Sequence, residues 1–213
     1  MAEHNVKRRY HAPRRAEQAA ATRRAVLAAA RELFVERGYT ATTVGLIAAT
    51  AGVSVDTVYA TVGRKPLLLR ELVETSLAAL EHDHTDRIRA AATAEEKIAT
   101  CAAVTTAVQL RLAPVFLALR DAAVSDPACA ALWSSIGERR ARTTLDFAAD
   151  LRRTGRLRPD LTDLQAADVV WSMDAVEYWV LLVHERGWSP DRFRQWLADA
   201  WTKLLLQPVQ RAR

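Results

Sequence analysis

Within the 23 residues from Thr43 to Lys65, TVGLIAATAGVSVDTVYATVGRK, the polar side chains are hydroxyls, one carboxylate and a terminal pair of cations. Hydroxyls and ammonium groups suit hydrogen bonds to phosphate oxygens, and a carboxylate can accept from cytosine N4. Small apolar residues are interleaved with them. Ile47, Ala48 and Ala51 fall on one face of a first helix, and Val53 and Val58 supply the inner face of a second. Gly52 stands between the two, where a sharp turn needs positive φ. Ser54 can cap the second helix. The spacing predicts two short helices joined by a tight turn, with the second able to enter a DNA major groove. A plain helical hairpin inside a bundle is the other reading of this stretch.

The elements that must hold this unit follow from periodicity. Helix 1 is expected from about Ala16 to Arg37, with Val26, Leu27, Ala30, Leu33 and Phe34 inward and Gly38 as its cap. Pro66 is a good first residue for a helix that continues through Leu69, Leu72, Val73, Leu77 and Leu80. Beyond His82, Thr93–Glu96 and Thr162–Gln165 read as capping boxes, and Asp126-Pro127 and Ser189-Pro190 as helix starts. Pro114 is expected to end or kink its helix. The helix opened at Thr162 is expected to run unbroken to Gly187. This gives about nine helices, an all-α chain without strand signals or internal repeats.

Composition narrows the function classes. The 213 residues are half hydrophobic and a quarter charged, with net charge +5 and pI about 9.6. Through residue 25 there are seven Lys/Arg against two acids, so the excess sits in the N-terminal arm and the remainder is balanced. Such an arm can reach phosphates or serve only as a solvated tail. No uncharged apolar run approaches 18 residues, so no membrane span is expected, and no apolar leader segment is seen. A cytoplasmic protein is expected. Cys101 and Cys129 lack metal or redox spacing and read as small buried hydrophobes. His82 and His84 do not share a helical face, so neither a metal nor another cofactor is expected. There is no Gly-rich phosphate loop, GxSxG or HExxH, so an enzyme is not expected.

The run from Ala21 to Glu74 resembles the N-terminal domain of the TetR family of bacterial transcriptional regulators. The resemblance spans about residues 20–80. It is carried by Leu33-Phe34, Gly38-Tyr39, Thr42-Thr43, Ile47-Ala48, Ala51-Gly52-Val53-Ser54, Thr57-Val58-Tyr59, Lys65 and Leu67-Leu68. Val62 departs from the family's usual Phe, and Gly45 from its usual long or charged side chain. The resemblance implies a basic disordered arm over 1–15, a helix-turn-helix domain over 16–81 (the motif about 43–63), and a helical ligand-binding and dimerisation domain over 82–213. It implies a repressor that binds a palindromic double-stranded operator as a homodimer and is released by a small-molecule inducer. An architectural DNA-binding protein without a ligand is the alternative, with an all-α enzyme further off.

By the same resemblance the DNA contacts fall at Thr43, Gly45, Ser54, Val55, Asp56, Thr57, Tyr59, Thr61 and Lys65. Lys65 and the hydroxyls of Thr43, Tyr59 and Thr61 would meet phosphates, and Val55 a thymine methyl. Asp56 would meet a cytosine or simply favour the helix dipole. In the second domain, Phe116, Trp133, Met173, Glu177 and Tyr178 are the pocket candidates. Glu177 falls in an apolar arc near Met173 and Val180, where a carboxylate needs a partner. That partner is a ligand cation, an arginine or His184, an internal pair being favoured. The helix over 166–185 carries two apolar stripes. One is Val169, Val170, Met173, Val176 and Val180, and the other is Trp171, Tyr178 and Leu182. With the unbroken stripe Phe193, Trp196, Leu197, Ala200, Trp201, Leu204 and Leu205, it is the expected dimer surface. A central helix buried within a monomer is the alternative.

Overall fold

The computed structural model describes residues 6–208, without the side chains of 6–13 and 78–84. All the long elements are helices: α1 Val6–Ala41, α2 Val44–Ala51, α3 Val55–Thr61, α4 Lys65–Ala90, α5 Ala94–Ala123, α6 Pro127–Arg153, α7 Asp163–Met173, α8 Val176–Trp179 and α9 Pro190–Leu205. A π-helical turn, Val180–Glu185, follows α8 directly. The one extended pairing among the described residues is a bridge between Leu157 and Leu206, which ties the loop after α6 to the end of α9. The all-α class is therefore observed.

The caps anticipated from sequence are in place. Thr43 Oγ1 accepts from Leu46 N–H and Ser54 Oγ from Thr57 N–H, each at 3.1 Å. Thr93–Glu96 and Thr162–Gln165 both close as reciprocal boxes. Asp126 and Ser189 cap α6 and α9. Gly38 interrupts α1 at φ 72°, and Gly52 turns α2 into α3 at φ 68°. α1 begins at Val6, so its backbone is already helical within the stretch expected as an arm. Met1–Asn5 lie outside the described residues, as do the side chains of Lys7, Arg8, Arg9, Leu80, His82 and His84.

Two expectations are corrected. Pro114 does not end its helix, since α5 runs continuously past it to Ala123. Proline removes one N–H and leaves the Leu110 carbonyl without its helical donor. Burial on several sides offsets that loss: Leu112, Ala113, Val115 and Leu119 are all covered. α5 is long and apolar enough to cross a membrane, yet here it is the central helix, packed on α1, α4, α6, α8 and α9.

The second correction concerns the helix expected from Thr162 to Gly187. It stops at Met173, Ala175 is extended at ψ 148°, and the chain restarts as α8 and the π turn. The break shifts the phase of everything after it. Leu182, expected in the outward stripe with Trp171, is buried, whereas Trp171 is 40% exposed. Two well-filled regions result. Val26, Phe34, Ile47, Val58 and Leu68 centre the first four helices, and Ile98, Leu119, Leu151, Phe193, Leu197 and Trp201 centre the rest.

Candidate DNA-reading head and sensor cavity

α2 and α3 meet at 97°, within the range of helix-turn-helix units. Their inner faces are closed by Ile47, Ala48 and Val58, all buried. The outer face of α3 carries Val55 and Tyr59, large apolar side chains 40% and 49% exposed, with Asp56 beside them. Exposure of such groups on a seven-residue helix provides contact surface for a partner. The hydroxyls of Thr43 and Ser54 accept from backbone N–H groups as caps, and Ser54 Oγ also shares a 2.8 Å bond with Thr57 Oγ1. A capping hydroxyl keeps its own O–H to donate, so Thr43 can still serve a phosphate oxygen. A Cβ at Gly45 would meet nothing nearer than Thr43 Oγ1 at 3.9 Å. Packing therefore does not demand glycine there. At Gly63 it does: φ is 86°, and a Cβ would lie 2.8 Å from Leu67 Cδ1.

Lys65 has a larger part within the fold than the sequence suggested. Its ammonium donates to Tyr39 O at 2.8 Å and Thr42 O at 3.0 Å, and lies 3.9 Å from the centroid of the Tyr39 ring. Burial lowers its pKa. Two of three donors are used, which leaves one for a phosphate. Thr42, fully buried, donates its hydroxyl to the carbonyls of Leu33 and Gly38. Arg23 was read as part of the basic arm, but it forms a fork with both Glu71 oxygens and donates to Thr61 O. It thereby clamps α1, α3 and α4 together. No local signal announces a pair separated by 48 residues.

The second region contains a cavity of about 670 Å³ between α4, α5, α6, α7 and α8, of the size of small-molecule sites. Phe116 and Trp133, both expected in a pocket, line it together with Ile136 and Phe147. Met173, Glu177 and Tyr178 do not. The break after Met173 changes the helical phase, so Glu177 turns to the surface and pairs with Arg120 at 2.8 Å. Tyr178 stacks on Trp196 of α9, 5.7 Å between centroids. Its neighbour His184 is exposed and accepts from Trp179 Nε1 at 3.2 Å.

The polar groups of the cavity wall were missed from sequence. Asp174 stands at the helix break and forms an ion pair with Arg140 of α6. Burial raises its carboxyl to about 6, against the opposing pull of the Arg140 guanidinium. Arg140 also donates to Trp171 O at 2.7 Å, and Gln109 Nε2 of α5 donates to Asp174 O at 2.6 Å. These two carbonyls lie where the helix stops, so side chains take the place of helical N–H donors. Cys101 also lines the cavity, its thiol pushed up to about 12 by burial. Among the described residues no cluster of His, Cys, Asp or Glu could hold a metal ion.

A helix-turn-helix head joined by one long helix to a helical domain with an internal cavity is the architecture of a bacterial regulator of transcription. Residues 26–71 match "Bacterial regulatory proteins, tetR family", and the chain carries the N-terminal DNA-binding domain of that family. No curated protein matches the chain at a significant level. Solved structures extend the likeness over both regions at the level of fold. A Saccharomonospora viridis protein described as a transcriptional regulator, in complex with choline, is 21% identical with a TM-score of 0.73, covering 87% of this chain and 97% of its own. The fatty acid degradation regulator FadR from Bacillus halodurans is 18% identical, TM-score 0.72, with coverages of 90% and 97%. FadR from Bacillus subtilis, in complex with stearoyl-CoA, is 22% identical, TM-score 0.68, with coverages of 83% and 96%.

Proposed function

We propose that the chain is a ligand-responsive repressor. It binds a palindromic operator as a homodimer in the cytoplasm and releases it when a small molecule occupies the cavity. One observation carries this reading above the others: α4 belongs to both regions. Its first residue, Lys65, is tied to the corner between α1 and α2, and Leu77 and Ile88 further along form part of the cavity wall. An occupant that displaces this wall therefore moves the head. The bound small molecules of the solved relatives support a sensing role for the same domain.

In this reading α3 lies in the major groove, with Val55 against a thymine methyl and Asp56 near a base edge. Thr43, Tyr59, Thr61 and the remaining Lys65 donor meet phosphates. The dimer surface is formed by α7, the π turn and α9, where Trp171, Leu181 and Leu204 stay more than a third exposed. Such side chains on adjoining elements favour a self-complementary contact. Linkage gives the test. Small molecules are screened for a rise in melting temperature, and each hit is titrated with and without saturating operator DNA. Weaker ligand binding in the presence of DNA is expected. Equal affinity in both conditions would rule out induced release and favour an architectural role.

A further inference from the structure

We infer that the cavity takes a neutral, mostly apolar molecule carrying one hydroxyl or N–H donor, held by Gln109 Oε1. This rests on the reading of the cavity as the ligand site. Gln109 lies on the cavity wall in α5 and is 4% exposed. Its Nε2 donates to the Asp174 main-chain carbonyl at 2.6 Å. That bond fixes the amide, because the flipped group would set oxygen against oxygen. Oε1 then has no protein donor, although it is shielded from solvent. A buried acceptor without a donor is uncommon and destabilising, so a group that donates to it gains more than one replacing a bond to water.

Charge on the same wall selects against ions. Asp174 is already paired with Arg140, and Asp150 at the rim with Arg153. An ammonium brought to Gln109 finds no uncommitted carboxylate there, and a carboxylate would face Oε1, another acceptor. A neutral donor avoids both penalties. The remainder of the molecule is set by Phe116, Ile136 and Phe147, which offer apolar surface.

The test uses three probes of one shape on the full chain: 4-phenylphenol, biphenyl and 4-phenylbenzylamine, measured by equilibrium dialysis at neutral pH. The phenol is expected to bind roughly tenfold more tightly than either of the others, as one buried hydrogen bond implies. Gln109→Met should remove that advantage while leaving biphenyl affinity unchanged. Equal binding of phenol and biphenyl, tighter binding of the amine, or a preference that survives Gln109→Met would overturn the inference. The wild-type ratios decide the matter even if the variant fails to fold. Binding of none of the three, together with no thermal stabilisation, overturns the cavity reading itself.

Discussion

The head and the sensor domain treat buried polar groups in opposite ways. In the head, each such group closes on a neighbour. Thr42 donates to a carbonyl of its own helix, Lys65 to two carbonyls, and Arg23 to Glu71 and Thr61. Around the cavity the connections are incomplete: a helix stops short at Met173, a carboxyl is raised by burial, and the oxygen of Gln109 lacks a donor. A surface that must present the same side chains to every operator gains from polar groups that leave no alternative arrangement. A region that must respond to an occupant needs groups whose satisfaction changes on binding.

The largest expected effect contrasts one aromatic from each region. Phe34 is 2% exposed in a filled core, and Phe34→Ala should cost about 3–5 kcal/mol of unfolding free energy. Phe116 is nearly as buried, at 8%, but faces the cavity and has fewer atoms to lose contact with. Phe116→Ala should cost less than about 3 kcal/mol. Equal losses in urea titrations would mean that the two regions are packed alike.

A smaller effect should appear with pH. The Asp174 carboxyl is raised from 3.8 to about 6 by burial. Between these values the native chain holds a proton that the unfolded chain has released. Stability from this group therefore falls as pH rises from about 4 to 6 and is level above that, by at most roughly 3 kcal/mol. Asp174→Asn should flatten this part of the stability profile. An unchanged profile would show that the ion pair with Arg140 outweighs burial.

The smallest effects separate support from reading within the head. Lys65→Ala removes two hydrogen bonds to carbonyls, so it should lower the melting temperature and weaken operator and random DNA alike. Val55→Ala should leave both melting and the salt slope nearly unchanged. It should relax preference at one base pair per half-site, near the low end of about 1–3 kcal/mol. A site selection that shows altered preference for Lys65→Ala and none for Val55→Ala would reverse these roles.

What could be read from sequence depended on the range of the interaction responsible. Thr43, Ser54, Thr93 and Thr162 each bond three residues ahead, so their helix starts were legible. Gly52 was legible for the same reason. The stop at Met173 was not, because Asp174 and Ala175 read through as ordinary helical residues. Its partners, Gln109 and Arg140, come from two other helices. The pocket candidates divided at the same point: Phe116 and Trp133, before the break, line the cavity, while Glu177 and Tyr178, after it, do not. Pro114 was over-read as a terminator because burial around α5 could not be seen locally.

The length of α4 sets a mechanical gain. Its 26 residues extend about 39 Å at 1.5 Å per residue, a little more than the roughly 34 Å that separates half-sites one turn apart on DNA. Over that arm a tilt of about 5° sweeps the far end through roughly 3 Å, about the length of a hydrogen bond. An angular change too slight to disturb the packing beside the cavity therefore becomes a loss of register between α3 and the bases.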